Sequence, residues 1–258
     1  MYIQKMNKFW IYIQMYKIYS VLVMSSIFCL SGCSEQDNKN TLHFSTSAEY
    51  PPFEFIEHGE MKGFDIDLAK LVAKELGKEA VFDNMQFSSV LPAVNSGQDN
   101  AAIATITITE ERKKNFDFSE PYYFEGMAAV FDASHPVVKP SQITGKRIAV
   151  QLGSVMEIWL HQHYPNAEIT VLDNNNQAIE ALIAGHVDVV LMDGAQGGVY
   201  SKKHPGLSYS VIAKANEGYG FVLKKGSPLT DEINLALEKL KAKGEIQKLE
   251  SIWLKESI

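Results

Sequence analysis

Residues 105–112, Thr-Ile-Thr-Ile-Thr-Glu-Glu-Arg, concentrate hydroxyl groups and one arginine at the end of an apolar run. Arginine is rare in this chain, since only Arg112 and Arg147 occur among its 24 basic residues. A guanidinium holds a carboxylate through two parallel hydrogen bonds, which a lysine ammonium does not. If the segment is extended, Thr105 and Thr107 lie on the same side of it. The pattern predicts a clamp for a small carboxylate, although an exposed arginine at a helix start fits it equally well.

A second polar cluster, at Asp193, follows a segment that repeats the organisation of the first. Residues 93–104 and 181–191 share the order of a helix, a glycine and an apolar strand. The segment beginning with Thr105 follows the first of these strands, and Asp193 follows the second. Ligands bind outside the carboxyl ends of strands in open parallel sheets, so both clusters are expected to face a ligand between two similar lobes. Alternatively, Asp193 only caps the next helix.

Short β-rich runs alternate with helical patterns along the chain, which predicts an α/β fold. A capping box formed by Ser154 and Glu157 marks the start of one helix. The predicted elements are a first strand at 42–46 and helices at 63–76, 88–95, 154–163, 177–184 and 231–242.

The amino-terminal segment has the features of a secretory leader. Three lysines precede an apolar run at 18–30, which is too short to span a membrane comfortably. The run ends in Leu-Ser-Gly-Cys33, which resembles the lipobox of bacterial lipoproteins, where the leader is cleaved before a cysteine that carries lipid. We therefore predict a signal peptide at 1–32 and a polar tether at 33–40. An uncleaved anchor that begins near Phe9 is the alternative.

Composition excludes several classes of function. The net charge is −7 and no basic stripe is present, which argues against nucleic acid as a partner. Cys29 leaves with the leader and Cys33 is modified, so no disulfide is expected. The seven histidines show no metal-binding spacing, because His161 and His163 do not share a helix face. No nucleophile elbow or phosphate-binding glycine loop occurs, and we expect no cofactor and no metal.

Several motifs occur in an order that resembles the family 3 extracellular solute-binding proteins, which are the amino-acid receptors of bacterial ABC importers. The resemblance covers nearly all of residues 41–258. The motifs lie at 50–55 (Tyr-Pro-Pro-Phe-Glu-Phe), 63–68 (Gly-Phe-Asp-Ile-Asp-Leu), 107–112, 118–122, 145–151 and 191–193.

The resemblance implies a periplasmic-binding-protein type II clamp, an α/β fold of two lobes that close about a hinge of two crossing strands. Lobe 1 is expected at 41–130 and 222–258, and lobe 2 at 131–221. The two crossings are expected near 129–134 and 218–223.

The resemblance also implies a role for each site residue. Arg112 pairs with the α-carboxylate of an amino acid, aided by Thr107 and by backbone N–H groups at the helix start of Ser154. Asp193 accepts the α-ammonium, which agrees with the need to pair both charges of a buried zwitterion. The remaining lining positions are Thr105, Tyr50 and Phe87. Tyr50 as a core residue and Ser154 as a helix cap alone are the alternatives.

The expected ligand is a polar amino acid, with glutamine and arginine as the lead candidates. Ser47 occupies a position that is often acidic in relatives that take cationic amino acids, which argues against a cationic ligand. Glu49, two residues away, can compensate for that loss. Val155 replaces a frequent threonine or glycine, which leaves one carboxylate contact in doubt.

The resulting prediction is a monomeric receptor, anchored through lipidated Cys33 on the periplasmic or extracytoplasmic face of a bacterial membrane. It passes a free L-amino acid to the permease subunits of an ABC transporter. One alternative is an enzyme on the same fold, such as a cyclohexadienyl (prephenate or arogenate) dehydratase. That chemistry needs an acid of raised pKa, and Glu49 and Glu157 are the candidates. A sensory or adhesive lipoprotein is a third possibility.

Overall fold

Two five-stranded mixed sheets, each packed against α-helices, form the two lobes of the α/β fold that the sequence predicts. The computed structural model describes residues 40–214 and 217–254, so the predicted leader and Cys33 lie outside the described residues. Within these ranges, none of the helices combines the length and apolarity needed to cross a membrane.

Strands and helices alternate along most of the described chain. The strands are β1 (Thr41–Thr46), β2 (Glu49–Tyr50), β3 (Glu54–Glu57), β4 (Glu60–Lys62), β5 (Glu79–Asn84), β6 (Ala101–Ala102), β7 (Phe116–Phe118), β8 (Met127–Asp132), β9 (Arg147–Gln151), β10 (Glu168–Leu172), β11 (Val189–Asp193), β12 (Leu207–Ala213) and β13 (Val222–Lys224). The α-helices are α1 (Phe64–Glu75), α2 (Phe87–Ser96), α3 (Glu110–Lys113), α4 (Val155–His163), α5 (Asn175–Ile183), α6 (Gly194–Lys203), α7 (Leu229–Ala242) and α8 (Glu245–Trp253).

The first sheet, in the order β5-β1-β6-β13-β7, belongs to lobe 1. β1 pairs in parallel with β5 and β6, whereas β13 runs antiparallel to β6 and β7. Along β1, Leu42 and Phe44 enter the core shared with α1 and α7. His43 and Ser45 point to the opposite face because strand side chains alternate, and the Ser45 hydroxyl contacts the Val90 carbonyl of α2.

Local sequence signals position the helices of both lobes. α1 buries Ile66, Ala69 and Ala73, which are three and four residues apart, and Gly77 follows its end with a φ of 68°. α5 begins two residues earlier than predicted because the Asn174 side chain accepts a hydrogen bond from the Gln177 amide at 3.0 Å.

The second sheet, in the order β10-β9-β11-β8-β12, belongs to lobe 2. β9 pairs in parallel with β10 and β11, whereas β8 runs antiparallel to β11 and β12. The carboxyl ends of β9 and β11 therefore lie at the same edge of the sheet. Gln151 and Asp193, the last residues of these strands, are at that edge.

Strand pairings can be compared with the two crossings that the resemblance implies. β8 lies wholly in the second sheet, so the expected boundary after residue 130 and the expected crossing at 129–134 fall inside or just beyond it. Gly126 directly precedes β8. On the return, Tyr219 already pairs with Thr107 and Tyr123 of lobe 1, ahead of the expected boundary at 222.

Glycines allow the two crossings to pack side by side. A Cβ at Gly218 would lie 2.6 Å from the Tyr123 carbonyl oxygen and 2.7 Å from Pro121 Cβ. A Cβ at Gly126 would lie 2.6 Å from Val211 and 2.9 Å from the Ala213 carbonyl oxygen. Because these distances leave no room for a methyl group, any side chain at either position must push the crossings apart.

We expect Gly218→Ala to destabilise the protein by about 1–3 kcal/mol, because a backbone carbonyl has to move to admit the methyl group. Gly206→Ala is the matched control, since a Cβ there meets nothing within 4 Å. Thermal denaturation of both variants measures the effect, and equal melting temperatures would contradict close packing of the crossings.

Candidate ligand-binding site

Seven of the nine ligand-binding residues predicted from the sequence line one cavity between the lobes. They are Tyr50, Phe87, Thr105, Thr107 and Arg112 from lobe 1, and Ser154 and Asp193 from lobe 2. The other lining residues are the amides Gln151 and Asn175 and the apolar residues Val155, Met156, Leu191 and Met192. The cavity therefore has charged and polar groups on both lobes and an apolar part on lobe 2.

Arg112 is a buried cation that no carboxylate neutralises within the described chain. The Thr109 side chain caps α3 by accepting from the Arg112 amide at 3.2 Å, which places the arginine in the first turn. Its guanidinium donates to the Thr107 carbonyl at 2.8 Å and, across the cavity, to the Gly153 carbonyl at 3.0 Å. The side chain is 7% exposed, and burial lowers the pKa of Arg112 to about 10. Two neutral carbonyls hold the charge, so an anion in the cavity would be strongly favoured.

Asp193 is the complementary case, a buried carboxylate with no lysine or arginine beside it in the described ranges. It stands at the N-cap position of α6, but its side chain makes no capping hydrogen bond, so capping does not explain its presence. Burial is the largest effect on this carboxyl and raises the pKa of Asp193 to about 7. A cation in the cavity would stabilise the ionised form.

Tyr50 connects the two lobes through Asp193. Its hydroxyl donates to the Asp193 carboxylate and accepts from the Asp193 backbone amide at 3.2 Å. The ring also packs in the core of lobe 1 beside Phe53. Tyr50 is therefore a core residue that also lines the cavity.

Thr105 and Thr107 both line the cavity, but not as neighbours on a regular strand. Thr105 has a φ of 47°, in the left-handed region that a β-branched residue rarely adopts. Its amide donates to Asp65 Oδ2 at 2.8 Å, and the Tyr122 hydroxyl donates to the same oxygen at 2.8 Å. Asp65 thus holds the strained backbone in place, a supporting role that sequence reasoning missed.

Asp65 belongs to a buried acidic layer beneath the cavity wall. Burial raises the pKa of Asp65 to about 7. Glu54 is 1% exposed, and burial followed by the charge of Asp65 raises its pKa well above the usual range. The only sequence signal for this layer was the presence of both acids within the motifs at 50–55 and 63–68.

Ser154 caps α4 and also lines the cavity. Its hydroxyl accepts from the Glu157 amide at 3.2 Å. The reciprocal bond differs from a standard capping box, because the Glu157 carboxylate accepts from Gly153 rather than from Ser154, at 2.7 Å. This arrangement fixes the loop whose carbonyl contacts Arg112.

Two predicted residues do not join the others. Ser47 is buried but does not line the cavity, and Glu49 is exposed at the start of β2. Two other polar residues, Gln151 and Asn175, line the cavity with their side-chain amides, and sequence reasoning missed both. Asn175 Nδ2 donates to Gln151 Oε1 at 3.3 Å, whereas Asn175 Oδ1 is buried without a hydrogen-bond partner in the described part of the protein.

Comparisons with known proteins agree with this architecture. The model of the bacterial extracellular solute-binding proteins, family 3, matches residues 42–256. The arginine-binding extracellular protein ArtP of Bacillus subtilis is 32% identical over 236 residues, which cover 88% of this chain and 92% of that protein. The ABC transporter glutamine-binding protein GlnH of the same organism is 32% identical over 205 residues, covering 77% and 74%. A structure of an ancestral arginine-binding protein bound to arginine matches with a TM-score of 0.80 at 37% identity, covering 84% of this chain and 99% of that one.

The raised pKa of Asp193 predicts a pH-dependent stability for the ligand-free protein. The folded state retains the Asp193 proton up to about pH 7, whereas the unfolded state loses it near pH 4. The contribution is therefore fully present below pH 4 and is lost as the pH rises to 7. We expect Asp193→Asn to match the wild type near pH 4 and to exceed its free energy of unfolding by up to about 4 kcal/mol at pH 8.

Urea denaturation of both proteins at pH 4 and pH 8 measures this difference. Asp188→Asn serves as the control. The hydrogen bond from the Arg147 side chain, and not burial, has the largest effect on the pKa of Asp188, and it lowers that pKa. A stability difference between wild type and Asp193→Asn that is independent of pH would mean that Asp193 is not held in its protonated form.

Proposed function

Because the chain belongs to the bacterial extracellular solute-binding proteins of family 3, we propose that it captures a free polar L-amino acid between its lobes. The closed lobes then present the ligand to the permease subunits of an ABC transporter. The members of this family and the relatives named above are substrate-binding proteins of transport systems, and such proteins are not enzymes.

The observation that carries this proposal is the pair of opposite buried charges. Arg112 and Asp193 line the same cavity, and neither forms an ion pair within the described residues. An amino acid brings a carboxylate for the first and an ammonium for the second. Each hydrogen bond to a charged group contributes about 1.5–3 kcal/mol. Several of these bonds, together with apolar contacts to the lining residues, are compatible with micromolar affinity, about −8 kcal/mol.

The rest of the cavity favours glutamine over arginine as the ligand. Gln151 and Asn175 supply neutral amides, and the unpartnered Asn175 Oδ1 suits an amide N–H of the ligand. A guanidinium would require a second carboxylate, but Asp193 is the only acid that lines the cavity in the described chain. Arginine remains the competitor, since ArtP is by name an arginine-binding protein.

The alternative of a dehydratase lacks support from the acids proposed for it. Glu49 does not line the cavity, and the Glu157 carboxylate is bonded to the Gly153 amide. No acid–base pair is therefore aimed at a substrate by these two residues.

Calorimetric titration with the twenty amino acids tests the proposal. We expect glutamine to bind with a dissociation constant in the micromolar range or below, more tightly than arginine, and to be recovered unchanged. Arg112→Ala should weaken binding at least a hundredfold, since two charge-assisted hydrogen bonds are lost.

Arg147→Ala is the matched control, because the only other arginine pairs with Asp188 on the surface of lobe 2. It should change the affinity by less than about twofold. If the Arg112→Ala variant still binds the amino acid tightly, Arg112 is not the partner of the ligand carboxylate. Tenfold tighter binding of arginine would overturn only the choice of glutamine.

We also propose that the protein acts as a monomer tethered through lipidated Cys33 to the extracytoplasmic face of the membrane. This part of the proposal rests on the leader, the lipobox and the polar segment at 33–40. Metabolic labelling with a radioactive fatty acid should mark the wild type and leave Cys33→Ala unlabelled and released from the membrane fraction. Equal labelling of both proteins would exclude Cys33 as the attachment site.

A further inference from the structure

Three side chains with metal-binding chemistry converge on lobe 1, away from the cavity. His43 comes from β1, Asp83 from β5 and Asp99 from the turn between α2 and β6. One ligand atom of each lies within 4.8 Å of the others, and His43 Nδ1 is 3.4 Å from Asp83 Oδ2. Asp99 precedes β6, whereas Thr105 of the cavity follows that strand, so the two sites lie at opposite ends of it.

Asp99 is the residue that ordinary packing does not explain. It is 3% exposed, and neither carboxylate oxygen has a hydrogen-bond partner within the described residues. A buried carboxylate without partners costs several kcal/mol unless a cation or a proton neutralises it.

Lobe 2 repeats the same local backbone with an apolar residue at this position. In lobe 1 the His43 amide donates to Asn100 Oδ1 at 2.9 Å, and in lobe 2 the Arg147 amide donates to Asp188 Oδ2 at 2.9 Å. The residue before Asn100 is Asp99, whereas the residue before Asp188 is Val187, which is also 3% exposed. The fold therefore accepts a valine here and does not require a carboxylate.

We propose that His43, Asp83 and Asp99 form a binding site for a divalent transition-metal ion, with Zn²⁺ preferred. Imidazole nitrogen and carboxylate oxygen are zinc ligands, and water completes a tetrahedral shell. Zinc–ligand bonds of about 2.0–2.1 Å place tetrahedral ligand atoms about 3.3 Å apart, close to the His43–Asp83 separation. Ca²⁺ and Mg²⁺ prefer shells made only of oxygen, so a histidine ligand disfavours them.

The position of the site allows a metal ion to enter from solvent and to stabilise the folded state. The His43 and Asp83 side chains are 33% and 44% exposed, so an ion can enter from solvent and reach the buried Asp99. An ion bound there links two strands and the turn before a third. Such a link stabilises the folded state, because the three ligands converge only when lobe 1 is folded.

Titration of the purified protein with ZnCl₂, after removal of metals with a chelator, tests the site. We expect one Zn²⁺ per chain with a dissociation constant in the micromolar range or below. A hundredfold excess of Zn²⁺ over that constant should raise the melting temperature by about 5 °C. CaCl₂ and MgCl₂ at the same concentration should leave the melting temperature unchanged.

Two variants separate metal binding from folding. Asp99→Val copies lobe 2 and should lose zinc binding while melting, in the presence of chelator, at or above the temperature of the wild type. Asp99→Asn should also lose the ion, which keeps the test valid if the valine variant folds poorly. His135→Ala is the matched control, because His135 forms an exposed pair with Asp132 at 3.8 Å and should not affect the stoichiometry.

Amino-acid affinity is the readout that separates this site from the cavity. Asp99→Val should change it by less than about twofold, so loss of zinc binding and loss of ligand binding are distinguishable. The proposal is overturned if the wild type binds no Zn²⁺ below millimolar concentration. It is also overturned if both Asp99 variants bind Zn²⁺ like the wild type.

Discussion

The burial of the Arg112 guanidinium without a carboxylate partner is the constraint on which the cavity depends. Carbonyl oxygens of Thr107 in lobe 1 and Gly153 in lobe 2 hold the cation, so its environment includes both lobes. Neutral acceptors offset only part of the cost of removing a charge from water. Under the proposed function, the ligand carboxylate would supply the remainder, which would couple its capture to the contact between the lobes.

The opposite charge depends on contacts that also span the lobes. Asp193 in lobe 2 is hydrogen-bonded to Tyr50 in lobe 1, and burial raises the pKa of its carboxyl group. Behind the residues that line the cavity, Asp65 accepts a hydrogen bond from the Thr105 amide and so fixes the left-handed backbone of Thr105. Strain at that residue is thus sustained by a buried acid, as is common where a backbone segment is shaped for a ligand.

Local patterns predicted the elements well because helix caps and periodicity are short-range. α1 and α2 fall within one residue of their predicted bounds. The polar clusters that follow strands do meet at one cavity, since strand ends share an edge. The amides Gln151 and Asn175 were missed because nothing local distinguishes a cavity amide from an exposed one.

The sequence by itself determined the class of the fold, the order of its elements and the two charged residues that follow corresponding strands. Those features arise from side-chain types over a few neighbouring positions. Only the tertiary structure decided which charges lack partners, and it alone brought His43 within reach of Asp83, 40 residues away. Burial and pairing are properties of the packed chain, because they depend on atoms that distant segments contribute.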